Sequence, residues 1–163
     1  MSARHHLIRN ARYFDGATLT GPATAQFDGD DFAGAFGTDH HLQGAAEIDL
    51  GGDILFAGYV DLQVNGGDGI LFNSAPHCDG LRRMAKAHRR LGTTAFLPTL
   101  ITDTPEVTRA AIAATQDAVA AQVDGIAGLH LEGPHLSLAR KGAHAGGLIR
   151  PMTEQDLALY LDA

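Results

Sequence analysis

Cysteine is almost absent from this chain: Cys78 is the only one among 163 residues. An intrachain disulfide is excluded, and a reducing compartment suits that usage. Positive charge is scarce too, with 12 Lys and Arg against 19 Asp and Glu and a formal net charge of −7. A face for nucleic acid or an anionic membrane carries a basic stripe, and none is found. The densest basic cluster, His88-Arg89-Arg90, falls on a predicted helix as a solvated face. Long apolar runs are lacking as well. No stretch approaches the ~18 residues of a membrane span. The opening MSARHHLIRNARYF has no apolar centre of signal-peptide length. The expectation is a soluble, cytoplasmic protein with neither nucleic acid nor membrane as partner. The pairs His5-His6 and His40-His41 make poor metal clamps, because adjacent side chains on a strand point to opposite faces. They are read as surface residues.

What the chain does have is a 45% hydrophobic content, enough for one ordinary core. Its patterning changes near residue 58. Before that point the segments read as short strands and turns. HHLIRNARYF ends at Asp15-Gly16, Asp28-Gly29 turns a hairpin between two weak strands, and two more β-rich runs flank Gly51-Gly52. Residues 1–57 would have a poor core by themselves. From residue 58 the rhythm is strand, helix, strand, helix, strand. YVDLQV is a strand. CDGLRRMAKAHRRLG places Leu81, Met84, Ala85, His88 and Leu91 on one helical stripe, with Gly92 as C-cap. TTAFLPTLI is nearly all apolar, as in a strand buried on both faces of a parallel sheet. A second helix starts with Thr104 as N-cap and Pro105 at its first position, and GIAGLHLE is the third strand. A Gly-rich loop follows. A last helix, capped by Thr153, is still running at residue 163. These are two consecutive βαβ crossovers, the signature of a parallel α/β fold.

Ligands gather at the C-terminal ends of parallel strands, so those ends are where chemistry is sought. The first ends in DLQVNGG, where Gln63 and Asn65, two apart, share a face. The second, LPTLITD, is polar only at its tip. The third ends in LHLEGP, and His130 and Glu132 share a face. Glu132 suits a hard metal ligand. Gln63 and Asn65 suit a metal-bound water or a substrate, and His130 suits either a ligand or a donor behind the ligands. Spacing alone leaves plainer readings in place: a loop ion pair for Glu132, ordinary strand-to-turn polarity for Gln63 and Asn65, and a hydrogen-bonded core histidine for His130.

The motifs GYVDLQVNGGDGILFN, TTAFLPTLIT, GLHLEGPHLS and KGAHAGGLIR, in this order, resemble the N-acetylglucosamine-6-phosphate deacetylases of the amidohydrolase superfamily. The resemblance implies a (β/α)8 metal-dependent hydrolase barrel with a small β-sandwich. Residues 1–57 would belong to the sandwich, and residues 58–163 would form the first three β/α units of an incomplete barrel. It implies one divalent metal, zinc, held by Glu132, with Gln63 holding a metal-bound water. Asn65, Ala143 and His144 would contact an amino-sugar phosphate, and His130 would stand behind the metal ligands. The implied reaction is hydrolysis of the acetamide of N-acetylglucosamine 6-phosphate to glucosamine 6-phosphate and acetate. The alternatives are the N-acetylgalactosamine counterpart or another amidohydrolase, and a non-catalytic remnant or interaction module. The family is commonly homodimeric, and the other partner in view is a missing C-terminal half.

A catalytic zinc takes three protein ligands, and a whole barrel needs about 250 residues. The remaining ligands and the aspartate base are expected beyond residue 163, so no catalytic residue is assigned here. The chain by itself should release no acetate from N-acetylglucosamine 6-phosphate even with zinc added, which a sensitive deacetylation assay checks.

Overall fold

The computed structural model describes residues 5–163. Residues 1–4, which open both the stretch read as lacking a signal peptide and the expected first domain, lie outside the described residues. The fold is mixed α/β, in two compact units, Met1–Ala57 and Gly58–Ala163.

The first unit is one five-stranded sheet. Strands β1 (His5–Phe14), β2 (Leu19–Asp28) and β3 (Asp31–Phe36) form an antiparallel meander, and Gly29, at φ +66°, turns the β2–β3 hairpin where Asp28-Gly29 predicted it. Strands β4 (Ala46–Asp49) and β5 (Ile54–Phe56) lie parallel to successive halves of β1. Leu7, Ala11, Ala23 and Ala25 are buried, while Phe14, Phe32, Phe36, Ile48 and Phe56 stay exposed. Small residues fill the little interior there is, which is the thin core the composition predicts. A sandwich needs a second layer, and among the described residues this unit holds a single sheet. Of the paired histidines, expected at the surface, only His41 is exposed, and His5, His6 and His40 are half-buried. His5 meets Asp28 at 2.7 Å, His40 meets Gln26 at 2.8 Å, and His41 meets Arg9 at 2.9 Å.

The second unit is built on a three-stranded parallel sheet, β10–β9–β6, made of β6 (Tyr59–Val64), β9 (Thr93–Ile101) and β10 (His130–Glu132). Helices α1 (Cys78–Arg89) and α2 (Pro105–Ala120) fill the two crossovers. A two-residue hairpin, β7 (Gly66–Gly67) with β8 (Ile70–Leu71), follows β6. One apolar cluster joins sheet and helices: Val64, Phe72, Leu81, Met84, Phe96, Leu100, Ala111, Ala114 and Ala118. The α2 residues in it recur at helical spacing. Thr104 caps α2 as predicted, its hydroxyl accepting the Val107 N–H at 3.3 Å.

Four expectations are corrected. Leu91 is 75% exposed rather than on the buried stripe, because α1 ends at Arg89 and Gly92, at φ +91°, turns the chain into β9. His88 of the basic cluster is half-buried, its Nε2 2.9 Å from the Gly66 carbonyl and its ring against Phe96, so only Arg89 and Arg90 are solvated. The third strand shrinks from GIAGLHLE to its last three residues, since Gly125 and Gly128 carry positive φ and only Ile126 bridges to Phe96 before His130. The last helix, α3 (Glu154–Leu161), ends inside the chain, where the Asp162 N–H reaches the Ala158 carbonyl.

Helix α3 begins with a full capping box. The Asp156 N–H donates to the Thr153 hydroxyl at 3.2 Å, and the Thr153 N–H donates back to the Asp156 carboxylate at 2.9 Å. Asp156 is buried and also forms a two-point pair with the Arg150 guanidinium, one contact at 2.6 Å. The Arg150 and Thr153 hydrogen bonds hold the Asp156 carboxyl far below the ordinary carboxylate range. A carboxyl depressed by folding adds stability above its unfolded value of ~3.9 and loses it as pH falls through the folded value. Amide protection in α3 should therefore weaken as acid is added below about pH 4. In Asp156→Asn it should be lower at neutral pH and flat across the same range. Hydrogen exchange of the α3 amides against pH checks both.

Candidate active site

Strand β6 delivers Gln63, and the residue just past it is Asn65, with the buried Val64 between them. Pro98 lies opposite Val64 and lacks an N–H, the register slips between Asp61 and Val64, and the Val64 N–H turns to the Thr99 hydroxyl at 3.0 Å. Burying Val64 sends its two neighbours to the other face, toward the tip of β10. There the Gln63 amide donates to Glu132 Oε2 at 3.1 Å and the Asn65 amide approaches the same oxygen at 3.5 Å. The structure thus brings together three of the residues singled out in the sequence, from positions 67 and 69 apart.

The second carboxylate oxygen has its own partner. His144 Nε2 lies 3.3 Å from Glu132 Oε1, and the imidazole is 11% exposed against 31% for the glutamate side chain. The other face of the ring rests on the end of β9, with His144 Nδ1 2.8 Å from the Thr102 hydroxyl and 3.4 Å from the Thr102 amide nitrogen. Sequence reasoning missed Thr102. Its only signal was position, as the polar residue closing an apolar strand. Asn73 was missed too: its side chain donates to the Ile101 carbonyl at 3.1 Å and to Asp103 at 2.8 Å, and accepts the Ile101 N–H at 3.2 Å. It thereby fixes the tip of β9.

Gln63, Asn65, Asn73, Glu132, Arg140, Lys141, Ala143 and His144 line an open cleft of about 530 Å³. The carboxylate lies within it, and the two exposed cations come from the loop after β10. Ala143 is exposed beside His144. His130 does not line the cleft. It is half-buried two residues deeper along β10, with Nδ1 3.3 Å from the Thr99 hydroxyl. Among the described residues no group of three or more His, Cys, Asp or Glu is gathered closely enough to hold a metal ion. Glu132 and His144 are two such donors side by side, and the Gln63 and Asn65 amides bring neutral oxygens that face the carboxylate once the amides are turned over. The donor set fits a share of a metal site rather than a complete one. No helix among the described residues is long and apolar enough to cross a membrane.

By fold and by sequence the chain is similar to amino-sugar 6-phosphate deacetylases. It is 52% identical over 107 residues to the N-acetylgalactosamine-6-phosphate deacetylase of Shewanella sp. (strain ANA-3), a match covering 66% of this chain and 27% of that protein. It is 38% identical over 112 residues to the N-acetylglucosamine-6-phosphate deacetylase of Haemophilus influenzae, covering 69% of this chain and 29% of that one. The crystal structure of N-acetylglucosamine-6-phosphate deacetylase from Pasteurella multocida matches with a TM-score of 0.91 at 29% identity, over 97% of this chain and 42% of that one. No protein-family model matches the chain. The resemblance read from the motifs therefore holds, and this chain spans 27% and 29% of the lengths of these two curated relatives.

The turn that follows Glu132 leaves no room for a side chain. Gly133 has φ +100°, and a Cβ built on it would meet the Thr102 hydroxyl at 2.1 Å. Gly133→Ala should destabilise the second unit by about 1–3 kcal/mol, from the left-handed backbone and the forced displacement of Thr102. Urea unfolding followed by circular dichroism measures it.

Proposed function

We propose that this chain is the N-terminal portion of a metal-dependent deacetylase that hydrolyses the acetamide of an N-acetylhexosamine 6-phosphate, giving acetate and the free amino sugar phosphate. The carrying observation is the Glu132 carboxylate at a strand tip, receiving Gln63, Asn65 and His144 inside an open cleft. Similarity to deacetylases named for these substrates supports the chemistry. On this reading residues 1–57 contribute to a small β-sandwich, and residues 58–163 form the first three units of a (β/α)8 barrel. The protein is cytoplasmic, and the complete enzyme is a homodimer.

Glu132 would supply one ligand to a divalent metal, zinc on the family resemblance, with its other ligands outside these residues. When bound, such a metal polarises an amide carbonyl and acidifies a water. The chain's own residues do the rest of the work at this end of the cleft. Gln63 and Asn65 offer an amide oxygen or an amide N–H according to how each side chain is turned, so they suit a bound water or a sugar hydroxyl. His144 and the Ala143 backbone face the sugar phosphate. Arg140 and Lys141 add positive charge where a dianionic group would enter, which raises its local concentration. His130, hydrogen-bonded to Thr99 beneath the tip of β10, supports the strand that presents Glu132.

Two epimers are in play. The motifs do not choose between them, while the 52% identity to an N-acetylgalactosamine-6-phosphate deacetylase favours the galacto sugar. The test is a chimera joining this chain to the remaining length of the Shewanella protein, assayed for acetate release from both sugar phosphates. Turnover of either one is expected, with the galacto substrate preferred. Glu132→Ala should cost about a thousand-fold in kcat/KM, the worth of several kcal/mol of metal-based stabilisation. A well-folded chimera that releases acetate from neither sugar, or one indifferent to loss of Glu132, removes the proposal.

A further inference from the structure

Strand β9 runs past the end of its neighbour. The last pair between β6 and β9 is Val64 with Pro98, whereas β9 continues to Ile101. On its other side β9 is still paired at that level, with Ile101 opposite Glu132 in the β10 ladder. The Ile101 N–H and C=O on the β6 side are thus left without a strand partner, and half-buried peptide groups need one. Asn73 serves both. Its Oδ1 accepts the Ile101 N–H at 3.2 Å, and its Nδ2 donates to the Ile101 carbonyl at 3.1 Å. One side-chain amide does here what one more peptide of β6 would do. It has a single usable orientation. A backbone N–H only donates and a carbonyl only accepts, so turning the amide over would set like groups together at both. The Asp103 carboxylate, 2.8 Å from Nδ2, demands the same orientation. Gln63 and Asn65 carry the same group without such a lock.

We propose that Asn73 is a positioning residue of this cleft, and that it sets the separation between Asn65 and Glu132. The linkage is short on both sides. Asn65 lies beyond the last β6 pair, and its carbonyl accepts the N–H of Phe72, the residue before Asn73, at 2.8 Å. Phe72 is fully buried, so that end is anchored in the core. Ile101 stands on the rung opposite Glu132. Asn73 therefore closes the path from one wall of the cleft to the other at the level of the carboxylate.

The two amides that reach Glu132 depend on this link unequally. Gln63 is tied lower down, through Val64, whose N–H donates to the Thr99 hydroxyl at 3.0 Å and which pairs with Pro98. Its contact with Glu132 is 3.1 Å. The Asn65 contact, at 3.5 Å, stands at the limit of a hydrogen bond, so a small further separation ends it. Loss of the Asn73 amide should release Asn65 and spare Gln63. What Asn65 and Glu132 do for a substrate rests on the deacetylase reading. Their separation does not, which makes the two separable by experiment.

The test is the 15N amide spectrum, backbone and side chain, of the 163-residue chain free of metal and substrate. Gln63→Ala and Asn65→Ala assign the two side-chain amides. In wild type the Asn65 signals should stand apart from those of a solvated asparagine, and the Ile101 amide should exchange at least about ten-fold more slowly than an unbonded one. Asn73→Ala removes every Asn73 contact. The Asn65 signals should then move to the solvated position while those of Gln63 stay. Asp103→Ala removes only the third contact and keeps both bonds to Ile101, so it should move neither. The proposal is overturned by a wild-type Ile101 amide without protection, or by wild-type Asn65 signals already at the solvated position. It is equally overturned if Asn73→Ala leaves Asn65 unmoved, or shifts Asn65 and Gln63 together, which marks general loosening. Release of Asn65 by Asp103→Ala would assign the effect to the loop contact instead. If Asn73→Ala does not fold, Asn73→Asp decides, since it keeps the shape and withdraws both donors: selective release of Asn65 supports the proposal, and a wild-type spectrum refutes it. Failure of the chimera to turn over substrate would leave these spectra unaffected.

Discussion

The Glu132 carboxylate stands at the end of β10 with 31% of its side chain exposed, and two other segments of the chain converge on it. Gln63 and Asn65 arrive from the end of β6 and His144 from the loop beyond β10. Hydrogen bonds to an ionised acceptor are roughly twice as strong as neutral ones. A half-solvated carboxylate at a strand tip is thus held, among the described residues, without a salt bridge to any lysine or arginine. The sheet order makes this possible. β6 and β10 both pair with β9, so the tips of the outer strands face one another across a single strand width.

The identity of the donors matters as much as their number. Were the carboxylate neutralised by an arginine, it would have no electrostatic call on a cation. Amides satisfy its lone pairs and leave its charge in place. A side-chain amide also reverses what it offers by turning over, from N–H to C=O. The same Gln63 and Asn65 can therefore hold Glu132 alone or present oxygen beside it. The His144 ring has less freedom, being held at its other nitrogen by the Thr102 hydroxyl at 2.8 Å, so the cleft combines two adaptable partners with one fixed partner.

Local signals were legible in the sequence, and so was the relation between strand ends. The caps at Thr104 and Thr153 follow from residue type and position, and both form the expected hydrogen bonds. The meeting of Gln63, Asn65 and Glu132 follows from the period of two along a strand, together with the rule that parallel strands present their C-terminal ends on one side. What failed depended on backbone geometry or on long closures. GIAGLHLE has the composition of a strand, but Gly125 and Gly128 take positive φ and pull most of it off the ladder. Leu91 has the right spacing for the helix stripe, but the helix is over by then. The contact between Thr102 and His144 spans 42 residues and a loop without periodicity, so no local pattern encodes it. His130 shows the limit of face-sharing as a criterion, since it sits two residues deeper along the strand than Glu132, too deep to line the cleft.

The loop that delivers His144 is long enough that its precision needs explaining. Free loops lose conformational entropy when their ends are held, and a side chain in mid-loop gains little order from a single anchor. Here the base is closed twice. The Arg150 N–H donates to the Pro134 carbonyl at 3.2 Å, and His135 Nδ1 donates to the Arg150 carbonyl at 3.0 Å. That leaves His135 Nε2 to accept from the Tyr160 hydroxyl at 3.2 Å, which ties the loop base to α3. Burial and the nearby Asp156 charge raise the Tyr160 phenol above its ordinary value, so it remains a hydroxyl donor well past neutrality. The Arg150–Asp156 pair completes the anchor one turn earlier on the same face of the helix. Helix α3 thus acts as a buttress. It contributes no group to the cleft, yet it holds closed the loop that carries His144 to Glu132.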